Sequence, residues 1–305
     1  MDEKNKNILL VGASGFLGGH ILKKLTSRNY NVDILSRLEV SNWNAMSQPK
    51  KEKIEHGYYD LVINAAGYAH STIKNNQAEK LKHYNSNYCL TKKLVASCVK
   101  NEKTIFILIS SANLLRSNGN NIEANEALKE NNFYVWSKIL AETFVTTSFA
   151  KNSNRYYIIR PTLVYGNGVK GNFRFLEKCV KYIKLFPIFN SIAKMQKSYV
   201  HVENILSLIS SIISGKIRQQ ILNVSDIENY FLEDIILGLA KKHKTKCVYI
   251  YVPKLLIKIL QKMSGAEFDM TDENKQQFLP KEVLYDFRGV SNVFSITDYI
   301  EDKNL

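Results

Sequence analysis

Apolar positions along the chain fall into two alternating patterns. Unbroken runs such as Ile8-Leu9-Leu10-Val11 and Ile105-Phe106-Ile107-Leu108-Ile109 are bounded by polar residues or glycine, as expected of parallel strands buried on both faces. Between the runs, apolar residues recur at helical spacing. Phe16, Leu17, Ile21, Leu22 and Leu25, with His20 among them, form one stripe, and Asn29 supplies a stop. The same pattern predicts strands at Val32 to Ser36, Asp60 to Asn64, Thr104 to Ser110 and Tyr156 to Arg160. It predicts helices around Leu81 to Val99 and from Phe133 to Phe149. Strand and helix alternate, so the expected class is α/β with a doubly wound parallel sheet. Past Arg160 the regularity breaks at Pro161, Gly166, Gly168 and Gly171. A helix is expected over Phe173 to Lys184, and strands returning to the sheet at Tyr199 to Val202 and Ile221 to Val224. This divides the chain into a nucleotide-binding domain over 1–165, with returning segments about 195–225, and a smaller, mostly C-terminal lobe over 166–194 and 226–305.

Composition changes this picture only modestly. The 42 basic and 28 acidic residues leave a net charge of +14, which favours anionic ligands. The basic residues are scattered and no nucleic-acid docking motif accompanies them, so nucleic acid is not an expected partner. Cys89, Cys98, Cys179 and Cys247 show no metal-ligand spacing, and reduced thiols with no metal are expected. The opening residues lack the pattern of a signal peptide and no apolar run is long enough to span a bilayer, so a cytoplasmic location is expected. The basic amphipathic stretch Lys254 to Met263 suits either an acidic membrane surface or a lobe helix burying its apolar stripe. A homodimer stays open.

The first strand runs directly into Gly12-Ala13-Ser14-Gly15-Phe16-Leu17-Gly18, which opens the first helix. The first glycine permits a tight turn, the second a close backbone approach to a pyrophosphate, and the third close packing of helix on strand. The helix N-terminus offers free N–H groups to the phosphates. Strand, glycine triplet and helix in this order predict a dinucleotide site in a Rossmann-type fold. An acid at the end of the second strand ordinarily binds the ribose hydroxyls of NAD. Here Ser36-Arg37 stands in that place. An arginine suits a 2′-phosphate, so NADP(H) is favoured, with NAD(H) open if Arg37 only stacks on adenine.

Tyr134-Val135-Trp136-Ser137-Lys138 opens a predicted helix, and spacing of four puts phenol and ammonium on one face. A cation beside a phenol stabilises phenolate, so the pair suits proton transfer. Ser110-Ser111-Ala112 ends the Ile105 to Ile109 strand at the sheet's carboxyl edge, where such sheets bind ligands.

The GxxGxxG spacing and the string Tyr-Val-Trp-Ser-Lys-Ile-Leu-Ala-Glu resemble the extended short-chain dehydrogenase/reductase group, the NAD-dependent epimerase/dehydratase family. So do Asn64-Ala65-Ala66-Gly67, Asn87 four before Thr91, and Arg160-Pro161-Thr162-Leu163-Val164-Tyr165-Gly166. These motifs cover about residues 7 to 225. The resemblance implies Ser111, rather than Ser110, Tyr134 and Lys138 as catalytic residues. It implies cofactor contacts from Gly12, Ser14, Gly15, Phe16, Leu17, Gly18, Asn64, Ala65, Ala66, Gly67, Asn87, Tyr134, Lys138 and Pro161, alongside Ser36 and Arg37. Lys197-Ser198-Tyr199-Val200-His201-Val202 is similar to a nucleotide-sugar element whose first basic residue reaches the substrate's diphosphate, and Asn172 matches another phosphate contact. Dehydratases of the family place Asp-Glu after the catalytic Ser/Thr, whereas this chain has Ala112-Asn113. The likeness is to bacterial UDP-N-acetylhexosamine 4-ketoreductases and 4-epimerases. It implies reduction of a UDP-4-keto-6-deoxy-N-acetylhexosamine for polysaccharide synthesis, with 4-epimerisation, reduction of a non-nucleotide ketone and non-catalytic NADPH sensing as the alternatives. The chain departs from the family's third strand between Leu38 and Tyr59 and from its usual C-terminal ending.

Overall fold

Strand and helix alternate through the first half of the computed structural model, which describes residues 6–42, 46–68, 77–169, 172–183, 185–188, 196–226, 229–246, 248–251, 284–285 and 295–301. The elements there are β1 (Asn7–Val11), α1 (Phe16–Ser27), β2 (Asn31–Leu35), α2 (Arg37–Ser41), α3 (Gln48–Glu55), β3 (Leu61–Asn64), α4 (Gln77–His83), α5 (Leu90–Cys98), β4 (Ile105–Ile109), α6 (Ala124–Lys129), α7 (Phe133–Ser148) and β5 (Tyr156–Pro161). With β9 (Ile221–Val224) they form one parallel sheet in the order β2-β1-β3-β4-β5-β9. Alternation along each strand sorts its side chains onto two faces. Ile8, Leu10, Ile63, Ile107 and Ile159 share one core with Ile21 and Leu25 of α1 and with Ile205, Leu208 and Ile209 from later in the chain. Leu9, Val11, Val62, Phe106, Leu108 and Ile158 pack against Leu94 of α5 and Val145 of α7. Covering both faces removes these apolar runs from water, as the continuous runs require.

The chain leaves β1 towards β2 on one side, and β3 lies on the other side. The strand order therefore reverses between β1 and β3, and a crevice opens at their carboxyl ends, the place where such sheets bind ligands. Between β2 and β3 stand the helices α2 and α3 and no further strand among the described residues, as the segment's departure from the family pattern predicts. The helix expected over Leu81 to Val99 is present but interrupted: a π-helical turn, Tyr84–Cys89, joins α4 to α5.

The remaining elements are β6 (Leu163–Tyr165), α8 (Asn172–Lys178), β7 (Leu185–Ile188), β8 (Gln196–His201), α9 (Val202–Ile213), β10 (Asn229–Phe231), α10 (Leu232–Lys242), β11 (Val248–Tyr251) and α11 (Ile296–Glu301). Of the two segments expected to return to the main sheet, only Ile221–Val224 does so. The segment at Tyr199 instead belongs to a three-stranded sheet, β10-β8-β6, because the short β6 directly after Pro161 offers it a parallel partner, Tyr199 facing Leu163. Helix α8 continues into a π-helical turn, Cys179–Ile183. The stretch Lys254 to Met263 lies outside the described residues. Among the described residues, no helix is long and apolar enough to cross a membrane.

A buried carboxylate ties this second region to the sheet. Asp226 follows β9 and accepts from Tyr165 Oη at 2.5 Å, from Asn204 Nδ2 at 2.7 Å and from the His201 amide at 3.0 Å. Burial pushes its carboxyl up to about 7, the bonds it accepts opposing and the charge of Asp298 adding. A carboxyl that is more basic folded than unfolded stabilises the fold fully below the unfolded value, and that contribution is lost as pH rises through the folded value. Asp226 should therefore cost up to about 4 kcal/mol of stability between pH 4 and 7. Asp226→Asn should flatten this slope, read as thermal or denaturant midpoints across that window. A slope equal to that of the parent would show that Asp226 does not titrate there.

Candidate functional site

The turn between β1 and α1 is shaped by glycine at two positions. Gly12 has φ +91, and a Cβ there would lie 2.5 Å from Ala66 N and 2.7 Å from Ala65 C; a Cβ on Gly18 would lie 2.0 Å from Gly12 O. The first contact brings the turn against the segment after β3, and the second seats α1 on β1. Gly15 caps α1 in extended conformation with no side-chain cap bond, so the first-turn N–H groups of this twelve-residue helix face the crevice without a side-chain acceptor at the cap. A phosphate group fits that arrangement. The residues present therefore fit a dinucleotide, whose pyrophosphate the turn from Gly12 to Gly18 would hold.

On the far side of the crevice, α7 and the end of β4 bring Ser111, Tyr134 and Lys138 together. Lys138 is buried, donates to Ile109 O at 2.9 Å, and lies 3.2 Å from where a Cβ on Gly67 would stand. Burial drives its ammonium down to about 8, with the charge of Glu142 partly offsetting that. Burial raises the Tyr134 phenol, which Ser111 opposes by hydrogen bonding and Glu142 reinforces. Ser111 Oγ also caps the turn Ala112–Leu114, accepting from Asn113 N at 3.2 Å. Ser110 Oγ, His83 Nδ1 and Thr162 Oγ1 are buried with no hydrogen-bond partner among the described residues. Ser110 and Thr162 end adjacent strands at the same sheet edge, and His83 packs edge-on to the Tyr134 ring at 6.1 Å. Buried polar atoms without partners are uncommon and call for an explanation, and a polar group of a ligand at this sheet edge would supply one. The arrangement can deliver a proton to a ligand oxygen and bind that oxygen through a hydroxyl.

The π-helical turn carries Asn87, whose carboxamide brackets Tyr68: Oδ1 accepts from Tyr68 N at 2.9 Å and Nδ2 donates to Tyr68 O at 3.2 Å. Nδ2 also reaches Ser137 Oγ at 2.9 Å, between Tyr134 and Lys138 in sequence. Asn87, expected as a cofactor contact, is thus engaged in holding the segment after β3 against α7. Thr91 Oγ1 donates to Asn87 O at 2.6 Å and accepts from Asn64 Nδ2 at 3.0 Å, which explains the spacing of Asn87 and Thr91. Beneath Lys138, Glu142 meets Arg160 of β5 in a buried pair, Nη2 to Oε2 2.5 Å and Nε to Oε1 3.0 Å.

The other sequence-predicted residues lie around this centre. Ala65 and Ala66 line the crevice at the Gly12 turn, Ser14, Phe16 and Leu17 sit on or next to that turn, and Pro161 ends β5 beside Val224. Ser36 caps α2 at the end of β2, reciprocally bonded with Glu39; the side chains of Arg37 and Asn172 lie outside the described residues. Lys197 sits on β8, two before Tyr199. It is half-buried, burial lowers its ammonium, and no hydrogen bond or ion pair engages it among the described residues. His83, Glu39, Lys50 and Asp226 carry local chemistry that motif matching misses. For Glu39 a signal was present, since Ser36-Arg37-Leu38-Glu39 has the S-x-x-E spacing of a capping box.

The model of the NAD dependent epimerase/dehydratase family matches residues 8–224. UDP-glucose 4-epimerase of Vibrio cholerae is 30% identical over 292 residues, spanning 88% of this chain and 84% of that protein. Among solved structures, dTDP-4-dehydrorhamnose reductase from Bacillus anthracis in complex with NADP has a TM-score of 0.70 at 15% identity, covering 97% of this chain and 98% of that one. UDP-glucuronic acid 4-epimerase from Bacillus cereus in complex with NAD has a TM-score of 0.67 at 16% identity, covering 97% and 96%. At such identities the two structures speak for the fold.

Proposed function

The chain belongs to the NAD dependent epimerase/dehydratase family, and from that membership we propose that it uses NADPH to reduce a UDP-linked 4-keto-6-deoxy-N-acetylhexosamine. As a family member it is an NAD(P)-dependent enzyme. The observation that carries the reading is the meeting of Ser111, Tyr134 and Lys138 at the carboxyl edge of the sheet, opposite the glycine turn. The bound dinucleotide supplies a hydride at its nicotinamide. Tyr134 donates its proton to the C4 oxygen of the sugar, and Ser111 hydrogen-bonds the same oxygen. Lys138, fixed by Ile109 O, supports the proton loss of Tyr134 as a nearby cation and would hold the nicotinamide ribose. Much of the rate comes from holding these groups in one geometry.

Lys197 is the proposed contact to the substrate diphosphate. A half-buried ammonium with no partner among the described residues carries a desolvation cost that an anion relieves. The register of β8 against β6 brings it to the level of Pro161, since Tyr199 faces Leu163. Asn172 is proposed as a second phosphate contact. Incubation with NADPH and a panel of UDP-4-ketosugars, followed by nicotinamide absorbance, tests the reading. Lys197→Ala should raise KM for the UDP-sugar at least about tenfold, the scale of a lost charge-assisted bond, with NADPH affinity within twofold. Equal losses for sugar and cofactor would remove Lys197 from the substrate site.

NAD-dependent 4-epimerisation is the second reading, and the likeness to a UDP-glucose 4-epimerase favours it. The same tyrosine then removes and returns the proton, and the dinucleotide is regenerated each turn. Interconversion of UDP-hexoses with no net change in nicotinamide absorbance identifies this outcome.

A further inference from the structure

The adenosine end of the crevice contains a charge pair that motif matching does not show. Pairing of β1 with β2 ends at Val11 facing Leu35, so Ser36 leaves the sheet beside Gly12, the first residue of the phosphate turn. A carboxylate at this strand end ordinarily reads the ribose hydroxyls and repels a 2′-phosphate. Ser36 is not acidic, yet the strand end does hold an acid. Glu39 folds back so that its Oε2 accepts from Ser36 N at 2.7 Å, while Ser36 Oγ accepts from Glu39 N at 3.3 Å. The reciprocal bonds fix the carboxylate at the end of β2, three residues later in sequence than the usual acid.

Helix α3 supplies its counter-ion. Lys50 Nζ lies 2.7 Å from Glu39 Oε1 and donates to Ile34 O of β2 at 2.8 Å, so the ammonium is pinned to the strand as well as to the acid. The side chains of Lys50 and Glu39 are only 24% and 14% exposed, which shelters the pair from screening. Burial works to raise the Glu39 carboxyl, but the bonds from Lys50 and Ser36 outweigh it and hold the group down to about 2. Glu39 is therefore ionised at any working pH. One turn along α3, Lys53 pairs with Asp33 of β2 at 3.1 Å, and Tyr59 Oη donates to the same carboxylate at 2.8 Å. Asp33 thus has its own lysine from the same helix, and Lys50 remains committed to Glu39.

We propose that Glu39 and Lys50 are specificity-determining residues for the dinucleotide, Glu39 acting as the displaced acid that disfavours a 2′-phosphate and Lys50 as the cation that cancels it. The proposal rests on a dinucleotide lying over the Gly12 to Gly18 turn, and not on which dinucleotide the protein prefers. With the pair intact its charges cancel, and a dianionic 2′-phosphate meets no net repulsion from it. Removing either partner leaves a single uncompensated charge at the end of β2, beside the phosphate turn.

The test is direct binding of NADPH, NADH and 2′,5′-ADP to the full chain, by calorimetry or intrinsic fluorescence and without any sugar. Glu39→Gln suits the purpose because glutamine keeps the capping-box bond while losing the charge. It should raise the affinity ratio of NADPH over NADH several-fold. Lys50→Gln should lower that ratio about tenfold, as expected of one uncompensated charge at short range in partly sheltered surroundings. The double variant should return the ratio to near the parent value, and 2′,5′-ADP should follow NADPH throughout. Ratios within twofold of the parent in both single variants would overturn the proposal. A double variant that stays as weak for NADPH as Lys50→Gln would also overturn it, because Lys50 would then bind the phosphate itself. The parent ratio, measured in the same series, tests the NADPH reading separately.

Discussion

Tyr134→Phe should lower turnover of the ketosugar by about 10²–10⁴-fold, the range for loss of a positioned general acid, while folding and dinucleotide binding survive. The ring and its contact with His83 are kept, and only the hydroxyl beside Ser111 goes. Burial makes the phenol a reluctant acid, so proton donation depends on the cation near it, and Lys138 is the buried ammonium on the same helix face. Lys138→Met should therefore also impair turnover and, unlike Tyr134→Phe, weaken dinucleotide binding, because the ammonium lies against Gly67 in the crevice. The pH profile offers a second readout. With the Lys138 ammonium near 8, kcat/KM of the parent should fall along an alkaline limb centred near that pH. Near-full turnover by Tyr134→Phe would eliminate the proposed chemistry. A parent protein that binds NADPH but turns over neither ketosugars nor UDP-hexoses would overturn the nucleotide-sugar reading.

The elements visible in the sequence are those whose signal is local. A run such as Ile8 to Val11 suits a strand covered on both faces, and the glycine turn and helical stripe that follow it select that reading. The YxxxK spacing needs nothing but a helix to bring phenol and ammonium to one face. What escaped depends on partners. Strand periodicity at Tyr199 says which side chains share a face but not which strand lies alongside, so its place in the small sheet was not legible. The π-helical turn at Tyr84–Cys89 adds a single residue to a long helical pattern, too small a phase change to read. Yet it carries Asn87, whose bonds to Tyr68 and Ser137 join the segment after β3 to α7. Glu39 was legible as a capping box, but its bond to Lys50 closes only when α3 packs beside β2. Asp226 stands alone in the sequence, and its chemistry comes from burial and from Tyr165, His201 and Asn204 meeting it from elsewhere in the chain.

The pair beneath Lys138 carries the second large expectation. Arg160 and Glu142 are both almost fully buried, and the guanidinium also donates to Asn121 Oδ1 at 2.8 Å. Glu142→Gln leaves that guanidinium out of water without its counter-ion, which should cost about 3–5 kcal/mol in denaturant unfolding. The same change should act on the chemistry. Glu142 is one helical turn from Lys138, and its charge supports the ammonium against burial. Without it the ammonium becomes more acidic, so the alkaline limb of kcat/KM should move below its parent position near pH 8. A double variant, Glu142→Leu with Arg160→Met, separates the two effects. Apolar replacement of a buried ion pair is often neutral or stabilising, so stability should recover towards the parent while the alkaline limb stays displaced. A limb that returns with stability would show that Glu142 acts on Lys138 only by keeping α7 in place. A single variant costing less than about 1 kcal/mol, the scale of an exposed pair, would show that water reaches Arg160 and that the pair is not buried in solution.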